Sequence, residues 1–206
     1  MNASALFQFD ETVRRAYPVI AGLDEAGRGP LAGPVVAGAV ILPAGRIIEG
    51  LKDSKLTTLN ERLRLFNDIT ANAVAIGIGI VSSDAIDRIN ILQSTYLAMK
   101  SAVRHLKQNP GILLIDAVRL PGIEIPQKSI IKGESISASI AAASIIAKVI
   151  RDSIMDLYHE KYPPYNFSKH KGYGTKEHIS LIRAYGPCPI HRKSFRKVMD
   201  VELPLA

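Results

Sequence analysis

The first strong apolar run in the chain is Val19-Ile20-Ala21-Gly22-Leu23, and its helix-disfavouring glycine predicts a buried strand. A Gly27-Arg28-Gly29-Pro30 turn follows, then a second apolar strand from Val35 to Leu42. Thr58-Leu59-Asn60-Glu61 has the spacing of a capping box, which predicts a helix to about Ile69 with Asn72 marking the turn out. Residues 73–81 alternate at period two through Val74, Ile76, Ile78 and Ile80, a third strand. Three successive strands with a tight turn between the first two predict an antiparallel meander.

The pattern then turns helical. A short helix from about Ser83 leads into a long one over 91–108, where Leu92, Tyr96, Met99, Val103 and Leu106 recur at 4-3-4-3 spacing and form one core-facing stripe. Asn109-Pro110-Gly111 ends it. Residues 112–115 are all apolar and predict a central strand, reached through a helix and so parallel to one already in the sheet. A short fifth strand over 127–131 precedes a helix over 136–158, whose first half is apolar all round and must be buried. Pro163-Pro164 breaks the chain, and a last helix starts at the N-cap Thr175 and closes at Gly186-Pro187. The fold class is α/β with a mixed five-stranded sheet flanked by helices. Residues 1–206 form a single domain, with 160–206 a small helical C-terminal lobe completing a substrate groove.

Acids mark the strand ends. The first strand runs into Asp24 and Glu25, the fourth into Asp116, and Glu134 follows the fifth. Strand-end loops of an α/β sheet are where sites are built. Carboxylates gathered at one edge repel unless cations lie between them, and two divalent ions about 4 Å apart would clamp a phosphodiester. Oxygen-only ligands suit Mg2+, with Mn2+ the usual substitute. Against this, single strand-end acids often serve only as caps or ion-pair partners. Gly27, Gly29 and Gly33 resemble a dinucleotide loop only weakly, because a strand follows and acids stand where a pyrophosphate would lie. The stretch from Phe167 to Thr175 reads as a flexible loop whose Lys169 and Lys171 would hold phosphates while Tyr173 stacks on a sugar or base.

Charge sharpens that picture. The net charge is +7, and residues 148–197 hold 11 Lys/Arg against 4 Asp/Glu. A basic block beside an acidic cluster favours a polyanionic partner, although a soluble basic surface would look similar. The single cysteine, Cys188, excludes an intramolecular disulfide and fits a reducing compartment. The N-terminal stretch lacks the apolar core of a signal peptide, and the uncharged run 135–147 is too short to span a bilayer. A cytoplasmic protein is expected.

Seven motifs in order resemble bacterial ribonuclease HII: Gly22 to Pro30, Asp53-Ser54-Lys55, Leu114-Ile115-Asp116, Lys132-Gly133-Glu134, Ala141 to Val149 with Arg151-Asp152, Lys169 to Tyr173, and Pro189-Ile190-His191-Arg192. The resemblance spans roughly residues 18–198. It implies an RNase H-like fold and a metal-dependent endonuclease that cuts the RNA strand of RNA–DNA hybrids. It also implies nicking of duplex DNA 5′ of an embedded ribonucleotide, leaving 3′-hydroxyl and 5′-phosphate ends. By position, Asp24, Glu25 and Asp116 match metal ligands, Gly27, Arg28 and Gly29 the loop that senses the ribose 2′-hydroxyl, and Tyr173 the aromatic that packs on the sugar beyond the junction. Ser54, Lys55, Lys169 and Lys171 match backbone contacts. The fourth acid of the resemblance is Asp, whereas Glu134 stands here; Asp152 is a poorer substitute, having Lys148 and Arg151 nearby. Only about 18 residues precede the first strand, which disfavours the related ribonuclease HIII with its extra N-terminal domain.

Two other classes stay open at this point: a non-catalytic hybrid-binding protein, which the acid set opposes, and another metal nuclease on this fold, such as a resolvase or exonuclease. A monomer is expected. Val201 to Ala206 form an apolar tail that could contact a replication clamp or pack on the domain.

Overall fold

The computed structural model describes residues 3–52, 54 and 57–200. Five strands, β1 (Ile20–Ala26), β2 (Val35–Ile41), β3 (Ala75–Val81), β4 (Ile112–Asp116) and β5 (Gln127–Ile130), form one sheet in the order β3-β2-β1-β4-β5. The predicted meander is present, with β1 antiparallel to β2 and β2 antiparallel to β3. β4 returns parallel to β1, and β5 parallel to β4. The expected mixed sheet is therefore the observed one. β1 continues past Leu23, so Asp24 and Glu25 are its own residues rather than the start of a loop.

The helices are α1 (Ala3–Arg14), α2 (Leu59–Asn72), α3 (Ser83–Arg104), α4 (Ala138–Lys161), α5 (Phe167–His170), α6 (Lys176–Tyr185) and α7 (Arg196–Met199). The capping box forms as its spacing requires: the Glu61 amide donates to Thr58 Oγ1 at 3.3 Å, and the Thr58 amide donates to Glu61 Oε2 at 2.8 Å. In α3 the junction between a short and a long segment falls at Asn90, which has φ of 64°. Its side-chain oxygen accepts the amides of Leu92 and Gln93 and so caps the second segment.

Two helices cover the two faces of the sheet, each at very short range. α4 lies on β1 and β2: a Cβ added at Gly22 would stand 2.0 Å from the Ser139 carbonyl carbon. α3 lies on the opposite face, where a Cβ at Gly79 would stand 1.9 Å from the Ala98 oxygen. This close seating sets the direction of the β1 acids. Successive strand residues point to opposite faces. Gly22 faces α4, and so does Asp24; Leu23 packs in the α3-side core, and Glu25 shares that face.

Helix α1 was not foreseen. It carries Leu6 and Phe7 into the core beside α4 and places Asp10, a buried acid, against the start of that helix. Asp10 accepts from the Ser137 hydroxyl at 2.6 Å, and from the Ser139 amide and hydroxyl at 2.8 and 2.7 Å. A carboxylate at a helix N-terminus satisfies its otherwise orphaned amides. Burial nevertheless raises the Asp10 pKa.

The stretch 167–175 departs from the expected loop. Phe167 and His170 are buried in the helical turn α5, because an aromatic cluster of Tyr165, Phe167 and the neighbouring histidines needs them inside. Among the described residues, no helix is long and apolar enough to cross a membrane.

Candidate active site

The parallel register sets the site. Leu23 pairs with Ile115, so Asp24 and Asp116, one residue further on each strand, stand side by side. The third acid arrives from the chain after β5. Lys132 adopts a left-handed conformation, φ 56°, and starts a single turn of 3-10 helix that carries Glu134 inward. The Gly133 amide donates to Asp116 Oδ1 at 2.7 Å, tying this turn to β4. Carboxylate oxygens of Asp24, Asp116 and Glu134 all lie within 4.8 Å of one another. The glutamate at position 134 thus reaches the cluster despite its extra methylene.

Glu25 lies at the edge of this group. Its Oε1 accepts from Arg28 at 3.3 Å, while its buried Oε2 has no hydrogen-bond donor among the described residues. Burial pushes the Asp24 carboxyl well above the usual carboxylate range, and the charges of Glu25, Glu134 and Asp116 push it further. Burial raises the Glu25 pKa as well, with Arg28 opposing. A buried, oxygen-only donor set with repelling charges and an unsatisfied carboxylate oxygen fits divalent cations, which would remove both penalties.

Asp24, Glu25 and Asp116 open onto a cleft of about 220 Å³, also lined by Gly27, Arg28, Gly29, Ser54, Ser144, Lys148 and Tyr173. Ser54 and Ser144 hydroxyls share a buried hydrogen bond of 2.8 Å. Tyr173 is 44% exposed, and its ring faces Lys148 Nζ at 5.9 Å and the Arg151 guanidinium at 5.7 Å. A larger hollow of about 440 Å³ beside α1 offers one acid, Glu11, which is already paired with Arg14 at 3.1 Å. It has no comparable convergence of groups.

Some expected contacts lie elsewhere. Lys169 is paired with Glu177 at 2.7 Å and Lys171 with Asp156, and neither lines the cleft. Lys55 is outside the described residues, as is the tail 201–206. Asp152 is held by Lys148 at 2.7 Å and lies near Arg62 at 3.7 Å, so it belongs to an ion-pair group behind the cleft.

Two buried arginines went unassigned in the sequence. Arg192 donates to the carbonyls of Gly27 (2.5 Å), Arg28 (2.9 Å), Gly33 (3.0 and 2.9 Å) and Pro34 (3.2 Å). Arg151 donates to Pro34 at 3.1 Å and Ala32 at 3.2 Å. Together they anchor the whole segment 27–34 from beneath. Burial lowers both guanidinium pKa values, Arg192 to about 9. The only signal in the sequence was their position inside two of the quoted motifs.

Residues 21–198 match the ribonuclease HII family. Ribonuclease HII of Acetivibrio thermocellus is 59% identical over 187 residues, covering 91% of this chain and 73% of that protein. Ribonuclease HII of Chlamydia caviae is 54% identical over 194 residues, covering 93% and 91%. Among solved structures, ribonuclease H2 from Pyrococcus horikoshii superimposes with a TM-score of 0.74 at 26% identity, covering 89% of this chain and 96% of that one. The chain therefore belongs to the ribonuclease HII family, metal-dependent ribonuclease H endonucleases that act on RNA–DNA hybrids.

Proposed function

We propose that this enzyme, besides cutting the RNA strand of hybrids, nicks duplex DNA on the 5′ side of a single embedded ribonucleotide. Water adds to the phosphorus and the P–O3′ bond breaks, giving a 3′-hydroxyl and a 5′-phosphate. The observation that carries this reading is the convergence of Asp24, Asp116 and Glu134 directly beside the Gly27-Arg28-Gly29 loop.

In this reading Asp24, Glu25, Asp116 and Glu134 hold two divalent ions, Mg2+ or Mn2+. When bound, the ions supply Lewis-acid polarisation of the scissile phosphate and neutralise its developing charge. The protein's share is positioning. β1 and β4 hold two carboxylates in fixed register, and the Gly133 amide orients Asp116. Gly29 has open space where a Cβ would be, which leaves its backbone accessible to a 2′-hydroxyl, the group that distinguishes RNA from DNA. Arg28 lies beside it, and Tyr173 offers an exposed ring face to the sugar beyond the junction. Ser54 at the cleft wall, Lys169 and Lys171 further out, and Lys55 would contact the backbone; Lys169 and Lys171 would exchange their present acid partners for phosphates.

We read residues 1–206 as one domain, with 160–206 completing the groove, and the protein as a cytoplasmic monomer. The decisive experiment is a labelled DNA duplex with one ribonucleotide, incubated with Mg2+ or Mn2+. A single cut 5′ of the ribonucleotide, lost with EDTA, is expected. Cleavage of continuous hybrid only would remove junction recognition from the reading. Tight binding without cleavage of either would favour a hybrid-binding role.

A further inference from the structure

Beneath Tyr173 lies a group of buried histidines that the hydrolytic site does not use. The Cys188 amide donates to His191 Nδ1 at 2.9 Å, closer than the Cys188 carbonyl oxygen at 3.3 Å or Sγ at 3.1 Å, and this shortest bond assigns that nitrogen as an acceptor. The proton of a neutral His191 is therefore on Nε2, which lies 3.0 Å from His178 Nε2. His178 Nε2 must then accept, leaving the His178 proton on Nδ1, 2.9 Å from the carbonyl oxygen of Tyr173. That oxygen can only accept. With that assignment every donor in this chain meets an acceptor, in one direction.

The surroundings keep both rings in place and uncharged. His170 stacks on His178 with centroids 4.3 Å apart, Phe167 meets His178 edge-on at 5.5 Å, and Tyr165 meets His191 at 5.0 Å. Burial holds the pKa of each of the two rings down to about 4. His170 is fixed too, donating from Nε2 to the Tyr165 carbonyl at 2.8 Å and accepting the Gly172 amide at Nδ1 at 3.2 Å.

We propose that His191 and His178 form a fixed-tautomer relay that sets the position of Tyr173 at the cleft, making both histidines positioning residues for the substrate. The Tyr173 carbonyl also accepts the Thr175 amide at 2.8 Å, and its amide donates to the His170 carbonyl at 2.9 Å. The backbone of Tyr173 is thus held on both sides, and the relay fixes its remaining freedom from within the lobe. The inference rests on the reading of Tyr173 as a substrate contact.

The test uses the different reach of two amides. Asn at position 178 places a donor where Nδ1 was, whereas Gln reaches only toward the Nε2 position. At position 191 the requirement is reversed, because the Nε2 donor is the one needed. On the single-ribonucleotide duplex, His178→Asn and His191→Gln should keep KM within about twofold of wild type. His178→Gln and His191→Asn should raise it about tenfold at unchanged kcat. A side chain that only fills space would favour the same amide at both positions, and that result overturns the relay. Nitrogen-15 spectra of the unmodified protein at pH 7 provide a second measurement independent of folding in the variants. They should show His178 as the Nδ1–H and His191 as the Nε2–H tautomer; either ring in the other form, or charged, also overturns it. Tyr173→Ala is run alongside: if it leaves KM unchanged, the substrate-contact reading fails, and the relay loses its functional consequence even with the tautomers as stated.

Discussion

The guanidinium of Arg192 lies 2.5 Å from the carbonyl oxygen of Gly27, a residue 165 positions earlier in the chain. The loop proposed to sense the substrate is therefore held by a side chain from the far end of the fold, through bonds to carbonyls rather than through an ion pair. Replacing Arg192 with Met removes the guanidinium donors from the buried carbonyls of Gly27 and Gly33, while Pro34 keeps Arg151. A loss of about 3 kcal/mol or more is expected, read from the urea midpoint at constant m-value. A variant as stable as wild type would mean that the loop is held by other contacts.

The two glycines of the loop should separate stability from recognition. Gly27 has φ of +100°, and a Cβ there would stand 2.2 Å from Arg151 Nε, whereas a Cβ at Gly29 meets nothing within 4 Å. Gly27→Ala should lower Tm by several degrees. Gly29→Ala should melt like wild type yet cut the single-ribonucleotide duplex more slowly, since the added methyl occupies space reserved for close approach of the ribose. Unchanged cleavage in Gly29→Ala would place the sensing of the 2′-hydroxyl elsewhere.

Removing one charge from the acid cluster should have opposite effects on activity and on the metal-free fold. Asp24 is buried at 4% exposure among Glu25, Glu134 and Asp116. Asp24→Asn is expected to abolish cleavage while leaving hybrid binding intact, and to raise Tm in EDTA at pH 7 because like-charge repulsion is relieved. Adding Mg2+ should stabilise wild type more than the variant. Near-normal turnover in Asp24→Asn would remove it from the ligand set.

Tyr173 is the exposed aromatic of the cleft, so its contribution should depend on the nucleotide after the ribose. Tyr173→Ala should slow cleavage at RNA–DNA junctions about tenfold more than cleavage within continuous hybrid. Equal loss on both substrates would remove the junction role.

Acid should weaken the C-terminal lobe before the sheet. His178 and His191 have folded pKa values of about 4 against an ordinary 6.5. Between those values the unfolded chain takes up protons that the folded one does not, so stability rises with pH across the window. The contribution is complete above pH 6.5 and is lost as pH falls through about 4. Its size is up to about 3 kcal/mol for each ring, less for the pair because they interact. Asp10 and Asp24, with raised pKa values, act in the opposite direction. The effect is isolated by comparing urea midpoints at pH 5 and 7 for wild type and His178→Asn; identical pH dependence would contradict it.

What the sequence disclosed followed from local rules. Alternation, the Thr58–Glu61 spacing and the crossover argument gave the strands, the second helix and the parallel placement of Asp116 beside Asp24. What it hid depends on distant partners. Arg151 and Arg192 stand inside two of the motifs with no role to be read for them, because their partners are main-chain carbonyls that carry no residue-type signature. Asp10 looked like part of an unremarkable polar segment, because the amide and hydroxyls that it accepts from lie more than 120 residues away. Four of the five histidines lie within the basic block 148–197, yet burial keeps His178 and His191 neutral.

The chain order of the site has a consequence for synthesis. Asp24 and Asp116 meet only through a parallel pairing that waits for the whole crossover between them, and the loop beside them is locked only once residue 192 is available. Such long-separation contacts are late events in folding. A growing polypeptide thus carries the acids long before it can align them, so the site is assembled only after nearly all of the chain has been made.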